Sequence, residues 1–333
     1  MAEVIVLEHP SSAYLSKSIQ EELTDLGIIV THVDIERSSF PNGEKYYRLD
    51  VDSSFSLLGK TALYIAAITN DDEILDIFRV GTALTQFGIK RRVFVIPFLA
   101  YLSRDRASQF GEVVTAKSNI QMLGMIGAAT EGNVFVFLDL HYSCVIHYFE
   151  GPCLRVELNA KNALLRAIAD LQIPHENMMM GSTNLRRAAW VNKYARSIGI
   201  PVSFIREKPK VSLLESNGTE GVIGNVKDFT VIIYDDLIRS GSTIIQAANE
   251  YLKAGANKVI GMTTHFTCSD EKEIRRLIDS PIEKIIMTNS HPVTTHEIIR
   301  SCEKFVVVDV TDIFTQCLYE ILPTPEHIHR SSI

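Results

Sequence analysis

Short apolar runs recur along the chain, separated by stretches in which apolar residues return every three or four positions. The runs at residues 4–7, 28–33, 62–68, 93–97, 134–140, 178–181, 202–205, 231–234, 259–263, 284–287 and 305–308 predict strands. They are rich in Val, Ile and Phe, and several are apolar on both faces, which is the signature of parallel strands covered by helices. Strand–helix alternation over most of the length predicts an α/β architecture of mainly parallel sheets flanked by helices.

Two segments read as distant copies of one unit. Residues 61–72 form an apolar run that ends in an acidic turn; a helix pattern with Ile74, Ile77, Phe78, Leu84 and Phe87 on one side follows. Asn70 and Glu73 have capping-box spacing, and Gly88 supplies a stop. Residues 230–236 repeat the run and the acidic turn; the helix pattern then carries Ile244, Ile245, Ala248, Tyr251 and Leu252 and stops at Gly255. The pairing predicts two similar halves. Residues 208–221 are polar and Gly-bearing, a length of loop that in compact α/β domains is functional or mobile.

Length and charge narrow the picture. The chain has 333 residues, enough for about two domains. It carries 33 Lys and Arg against 40 Asp and Glu, a net charge of −7, so no general field draws it to nucleic acid or anionic lipid. The five cysteines, Cys144, Cys153, Cys268, Cys302 and Cys317, lack C-x-x-C spacing and read as buried thiols in a reducing compartment. With no apolar run long enough to span a bilayer and no signal-peptide pattern at the start, the expectation is a soluble, cytoplasmic protein with no membrane or nucleic-acid partner.

The strongest chemical signal is Tyr234-Asp235-Asp236-Leu-Ile-Arg239-Ser240-Gly241-Ser242-Thr243. Two carboxylates stand at the C-terminal end of a strand, where open α/β sheets bind ligands. Small and hydroxyl residues then open a helix, whose N–H groups and partial positive charge suit a phosphate. Sugar hydroxyls next to that phosphate would find acceptors on Asp235 and Asp236.

This segment resembles the ribose-5-phosphate fingerprint of the type I phosphoribosyltransferase fold, and its flanks (Gly224-Asn-Val-Lys-Asp, Ala254-Gly-Ala-Asn-Lys-Val, Thr264-His265) are similar to those of the ribose-phosphate pyrophosphokinases. Phe40-Pro-Asn42-Gly-Glu44 resembles the family element that holds ATP adenine in a neighbouring subunit. Residues 97–106 with Glu112 and Thr115-Ala-Lys117 resemble its ATP-binding stretch, with Ser103, Arg104, Asp105 and Arg106 at the phosphates. Asp139-Leu140-His141 resembles its magnesium element, and Thr288-Asn-Ser290 a late strand-end motif.

The resemblance implies two tandem type I phosphoribosyltransferase-like domains: an ATP side over residues 1–150, joined by the C-terminal helix at 310–333, and a ribose-5-phosphate side over 151–309. It further implies Mg2+ held by His141 and Asp139, and a homo-oligomer that shares the ATP site across subunits. Arg106, Lys208 and Lys210 are the implied catalytic cations; Asp235, Asp236, Arg239, Ser240, Gly241, Ser242 and Thr243 bind the sugar phosphate.

Several positions depart from the family pattern. Ser103-Arg104-Asp105-Arg106 stands for Arg-Gln-Asp-Arg. Gly181-Ser-Thr-Asn184 stands where the pattern has Ser-Pro-Asp, without a carboxylate, and Arg239 stands for an acid. Gly111-Glu-Val-Val-Thr-Ala116 and Arg206-Glu207 are similar to the plant-type branch. The departures leave a second reading, a weak or inactive regulatory subunit, beside synthesis of phosphoribosyl pyrophosphate (PRPP). A nucleobase phosphoribosyltransferase is a third, disfavoured by the Phe40–Glu44 and Tyr101–Lys117 blocks.

Overall fold

A computed structural model describes residues 3–53, 55–107, 109–207 and 219–322. The chain divides into two compact units, residues 1–159 with 310–333, and residues 160–309. Each is built on a mainly parallel sheet flanked by helices, as expected for two tandem domains of one α/β type.

The first unit has a wholly parallel sheet, ordered in space Ile29–His32, Glu3–Glu8, Thr61–Ile65, Arg91–Ile96, Asn133–Leu138 and Cys153–Leu158. Strands Thr61–Ile65, Arg91–Ile96 and Asn133–Leu138 bury nearly every side chain, so they read in the sequence as continuous apolar runs. Helix Asp71–Gln86 starts on the expected capping box: Asn70 accepts from the Glu73 amide, and Glu73 reaches back to the Asn70 amide.

A separate antiparallel hairpin, Ile35–Ser39 with Lys45–Leu49, is not foreshadowed in the apolar pattern because most of its side chains face solvent. Leu49, Ile35 and Tyr47 touch the core, and a polar contact adds to that anchor. Arg37 on the hairpin donates to both oxygens of buried Asp76 at 2.7 and 3.1 Å and to the Glu8 carbonyl at 3.0 Å, while the Tyr64 hydroxyl also bonds Asp76. One ion pair thus ties hairpin, helix and central strand. Leaving Asp76 without Arg37 would strand a buried charge, at a cost of about 3–5 kcal/mol.

The second unit orders its strands Thr219–Ile223, Val202–Glu207, Met178–Ser182, Thr230–Tyr234, Lys258–Thr263, Lys284–Thr288 and Phe305–Val308. Only the first of these pairs antiparallel. The two segments predicted to be copies hold equivalent places: Thr61–Ile65 and Thr230–Tyr234 each lie beside the first strand of their own sheet. On the other side of that first strand lies the second one, so the chain reverses its direction of winding there. Such a switch point opens a crevice at the strands' C-terminal ends.

Helix Thr311–Ile321 belongs to the first unit, where Thr315 donates to Glu22 of helix Ala13–Asp25. The cysteines are unpaired in disulfides, but only Cys268 is buried and Cys144 is exposed, which corrects the expectation of five buried thiols. Among the described residues no helix is long and apolar enough to cross a membrane.

Candidate functional site

In the second unit, the switch point falls between Met178–Ser182 and Thr230–Tyr234. Strand Thr230–Tyr234 is buried throughout and delivers Asp235 and Asp236 to its C-terminal end. Two backbone bonds fix the turn: Asp235 N–H donates to the Met262 carbonyl at 3.0 Å, and His265 N–H to the Asp236 carbonyl at 2.9 Å. The chain beyond runs into a two-residue parallel pair, Leu237–Ile238 with His265–Phe266. His265 is itself pinned through its ring to Ser290 at 2.8 Å. A strand this short has no periodicity, which is why the sequence does not announce it.

Helix Ser242–Lys253 then begins at Gly241, whose φ of 73° is left-handed. A Cβ there would also lie 2.5 Å from a methyl of Leu277, so conformation and space both require glycine. Ser240 and Ser242 share a hydroxyl–hydroxyl bond of 2.9 Å, and Arg276 holds the Ser240 carbonyl at 2.8 Å. Ser242 and Thr243 are exposed at the helix start, where first-turn N–H groups lack intrahelical acceptors. The loop is held in one conformation with its hydroxyls and first-turn amides exposed. Its helix is registered on the sheet by Tyr251, whose hydroxyl accepts from Ser182 N–H at 3.0 Å. That contact needs Gly181, because a Cβ there would meet Tyr251 at 3.0 Å and Val231 at 2.6 Å.

The acid pair is not bare. Arg187, from the segment after Met178–Ser182, places Nε 3.2 Å from Asp235 and Nη2 2.6 Å from Asp236. Thr183 donates to the second Asp235 oxygen at 3.1 Å. Burial and the adjacent Asp236 charge push the Asp235 carboxyl up to about 7, against the pull of Arg187 and Thr183. Arg239 is exposed beside the loop.

A second cluster forms in the first unit. Arg106 clasps buried Asp105 with bonds of 2.7 to 3.1 Å, and its guanidinium lies 4.8 Å over the Tyr142 ring. His141 meets the same ring edge-on at 4.6 Å. Tyr142 thus links the predicted phosphate-binding and metal-binding residues, a connection the sequence reading missed. Arg104 pairs with Glu112 at 2.9 Å. Asp139 is buried at a left-handed φ of 38°, and its carboxylate accepts from Asn159 at 2.5 Å. Phe40, Asn42 and Glu44 form the hairpin tip, closed by Phe40 N–H to the Glu44 carbonyl and Glu44 N–H to Asn42. Phe40 is 54% exposed there, against the edge of Tyr46. Lys208 and Lys210 lie outside the described residues.

Comparison with known proteins bears on both clusters. Residues 4–127 match the family model of the N-terminal domain of ribose phosphate pyrophosphokinase, and residues 179–325 match the phosphoribosyl synthetase-associated domain. The chain belongs to the ribose-phosphate pyrophosphokinase family. The ribose-phosphate pyrophosphokinase of Pyrococcus abyssi is 27% identical over 285 residues, covering 85% of this chain and 92% of that one. That of Clostridium acetobutylicum is 26% identical over 314 residues, with 92% of each chain covered. The crystal structure of phosphoribosylpyrophosphate synthetase from Mycobacterium smegmatis superposes with a TM-score of 0.81 at 25% identity, over 96% of this chain and 99% of that one. In this ribose-phosphate pyrophosphokinase the Asn184–Arg187 segment meets the acid pair. Asn184 caps its own short turn through Arg186 N–H at 3.0 Å, and Arg187 takes the acids.

Proposed function

We propose that this chain is a ribose-phosphate diphosphokinase, which moves the pyrophosphoryl group of Mg-ATP to the 1-hydroxyl of ribose 5-phosphate and yields PRPP and AMP. The observation that carries this reading is the Asp235-Asp236 pair set one loop before the Gly241-capped helix, an acceptor pair for a diol beside a cradle for a phosphate. The sugar 1-oxygen forms its bond to the β-phosphorus while the bond from that phosphorus to the bridging oxygen breaks. The leaving electron pair stays on AMP, and the hydroxyl proton passes to solvent. Such transfer depends on alignment and charge compensation rather than on a protein nucleophile.

The first unit takes the ATP role in this reading, with Arg104, Arg106 and Ser103 toward the phosphates and the Phe40–Glu44 tip toward the base. A subunit pair sharing that tip would make the protein a homo-oligomer. Magnesium binds proteins through one or two side chains together with substrate phosphates. The half-exposed His141 at the Arg106–Tyr142 cluster fits that donor set, with Asp139 holding the turn beneath it. When bound, the ion neutralises charge on the transferring phosphates. The regulatory reading is not favoured, because relatives matched along nearly their whole length carry the enzyme's name. A coupled AMP-release assay with ribose 5-phosphate, ATP and magnesium tests the proposal. Sugar-dependent AMP is expected, and none from folded protein that binds ATP would overturn it.

Two further results are expected. Because Asp235 sits near neutrality, the pair retains a proton below pH 7 and loses acceptor capacity for the sugar. The KM for ribose 5-phosphate is expected to rise about tenfold per pH unit well below 7, while that for ATP does not follow it. A flat sugar profile from pH 5 to 8 would refute this. Lys208→Ala is expected to lower kcat about a hundredfold and leave the KM for ATP within about threefold, as for a charge used in the transition state. Equal loss in both would assign Lys208 to binding alone.

A further inference from the structure

Two adjacent carboxylates that are 13% and 7% exposed need positive compensation. A divalent cation is one solution and requires further anionic or neutral oxygen ligands around it. The second unit offers a different one. Arg187 is 12% exposed and reaches both acids with two separate nitrogens of one guanidinium, Nε to Asp235 Oδ1 and Nη2 to Asp236 Oδ1. The other Asp235 oxygen is met by Thr183. Residue 184, just after strand Met178–Ser182 and next to Thr183, is Asn, and its side-chain oxygen accepts from the Arg186 amide. Three of the four carboxylate oxygens thus already face a guanidinium or hydroxyl donor, a cation-compensated donor set that does not fit a divalent ion.

We infer that Arg187 replaces a divalent cation as the counter-ion of the sugar-binding acid pair, so that ribose 5-phosphate engages the second unit without metal. This rests on the ribose-5-phosphate reading of the site. Arg187 is then a positioning residue. Its planar fork holds the two carboxylates at fixed orientation and cancels their mutual repulsion, while the sugar hydroxyls bond to the acids rather than to the arginine. Magnesium is confined to the nucleotide. The arrangement also explains why Asn184 is tolerated: a carboxylate there would add a third negative charge to a pair that one guanidinium already balances only in part.

The test is calorimetric titration of ribose 5-phosphate into the full-length protein, with AMP held at a fixed concentration, in EDTA and in millimolar MgCl2. Wild-type affinities are expected to agree within about threefold. Arg187→Gln is expected to bind at least about tenfold more weakly in EDTA and to regain part of the loss in magnesium, because the bared acids can then recruit the ion. Arg187→Lys is expected to keep most of the metal-free affinity. A merely structural arginine would give neither magnesium rescue nor rescue by lysine. If Arg187→Gln does not fold, the wild-type comparison and the lysine variant still decide. Wild-type affinity at least about tenfold weaker in EDTA, with normal sugar-dependent AMP release, would overturn the inference and leave the proposed function standing. So would unchanged metal-free binding by folded Arg187→Gln. Absence of both sugar binding and AMP release would overturn the function and the inference together.

Discussion

Asp236→Asn is expected to lower kcat/KM for ribose 5-phosphate about a thousandfold, equivalent to about 4 kcal/mol, with the KM for ATP unchanged. The substitution keeps the shape of a side chain that is almost wholly buried and removes its charge. A carboxylate accepts on both oxygens; an amide accepts on one and turns an NH2 toward a hydroxyl that needs an acceptor, so one sugar contact is lost outright. Arg187 loses its shorter partner at 2.6 Å but keeps Asp235, which limits the damage to the fold. Asp235 itself should titrate lower once the neighbouring negative charge is gone, since that charge is one of the causes that raise it. Steady-state kinetics and a thermal melt separate the two effects. Normal turnover in Asp236→Asn would remove the sugar from this site.

Gly241→Ala is expected to raise the KM for ribose 5-phosphate by about two orders of magnitude while leaving the first unit's melting behaviour unaltered. A non-glycine residue at φ 73° costs about 1 kcal/mol or more, and overpacking adds about 1–3 kcal/mol. The added methyl would fall 2.5 to 2.9 Å from three atoms of Leu277. Leu277 lies on helix Glu271–Ile278, next to Arg276, which clamps the Ser240 carbonyl. Relieving the clash therefore moves the clamp as well as the loop, and the phosphate cradle opens. Truncating Leu277 to Ala in the same background should restore part of the affinity, with the left-handed backbone penalty left behind. No recovery, together with wild-type affinity in the single variant, would show that the loop does not carry the phosphate.

The acid pair and the cradle were legible because they are contiguous: residues 235–243 carry strand end, acids and helix start in one stretch. The buried central strands were legible for a related reason, since apolar residues on both faces leave uninterrupted runs. What stayed hidden depends on contacts distant in sequence or on surfaces that alternate weakly. Arg187 reads as one more charge at a helix start; only the parallel pairing of Met178–Ser182 with Thr230–Tyr234 brings it onto Asp235 and Asp236. Tyr142 gives no sign of standing between Arg106 and His141. Strand Cys153–Leu158 lies at a sheet edge with Arg155 and Glu157 along it, and the hairpin Ile35–Ser39 with Lys45–Leu49 is mostly exposed, so neither shows a clean run. The apolar run at 62–68 was read too long. The ladder ends at Ile65, and Ile68 forms an isolated bridge to Leu99.

Helix Thr311–Ile321 packs on helix Ala13–Asp25 within the first unit, although all of the second unit is encoded between them. On the ribosome the order of emergence therefore differs from the order of completion. Residues 160–309 are all available before the last helix of the first unit has left the exit tunnel. The unit synthesised second can finish folding first, while the one synthesised first must wait, with part of helix Ala13–Asp25 uncovered. Newly made chains are expected to be most exposed to chaperones and proteases at their N-terminal unit. Substitutions at Glu22 or Thr315 should lower cellular yield more than they lower the activity of the protein that survives.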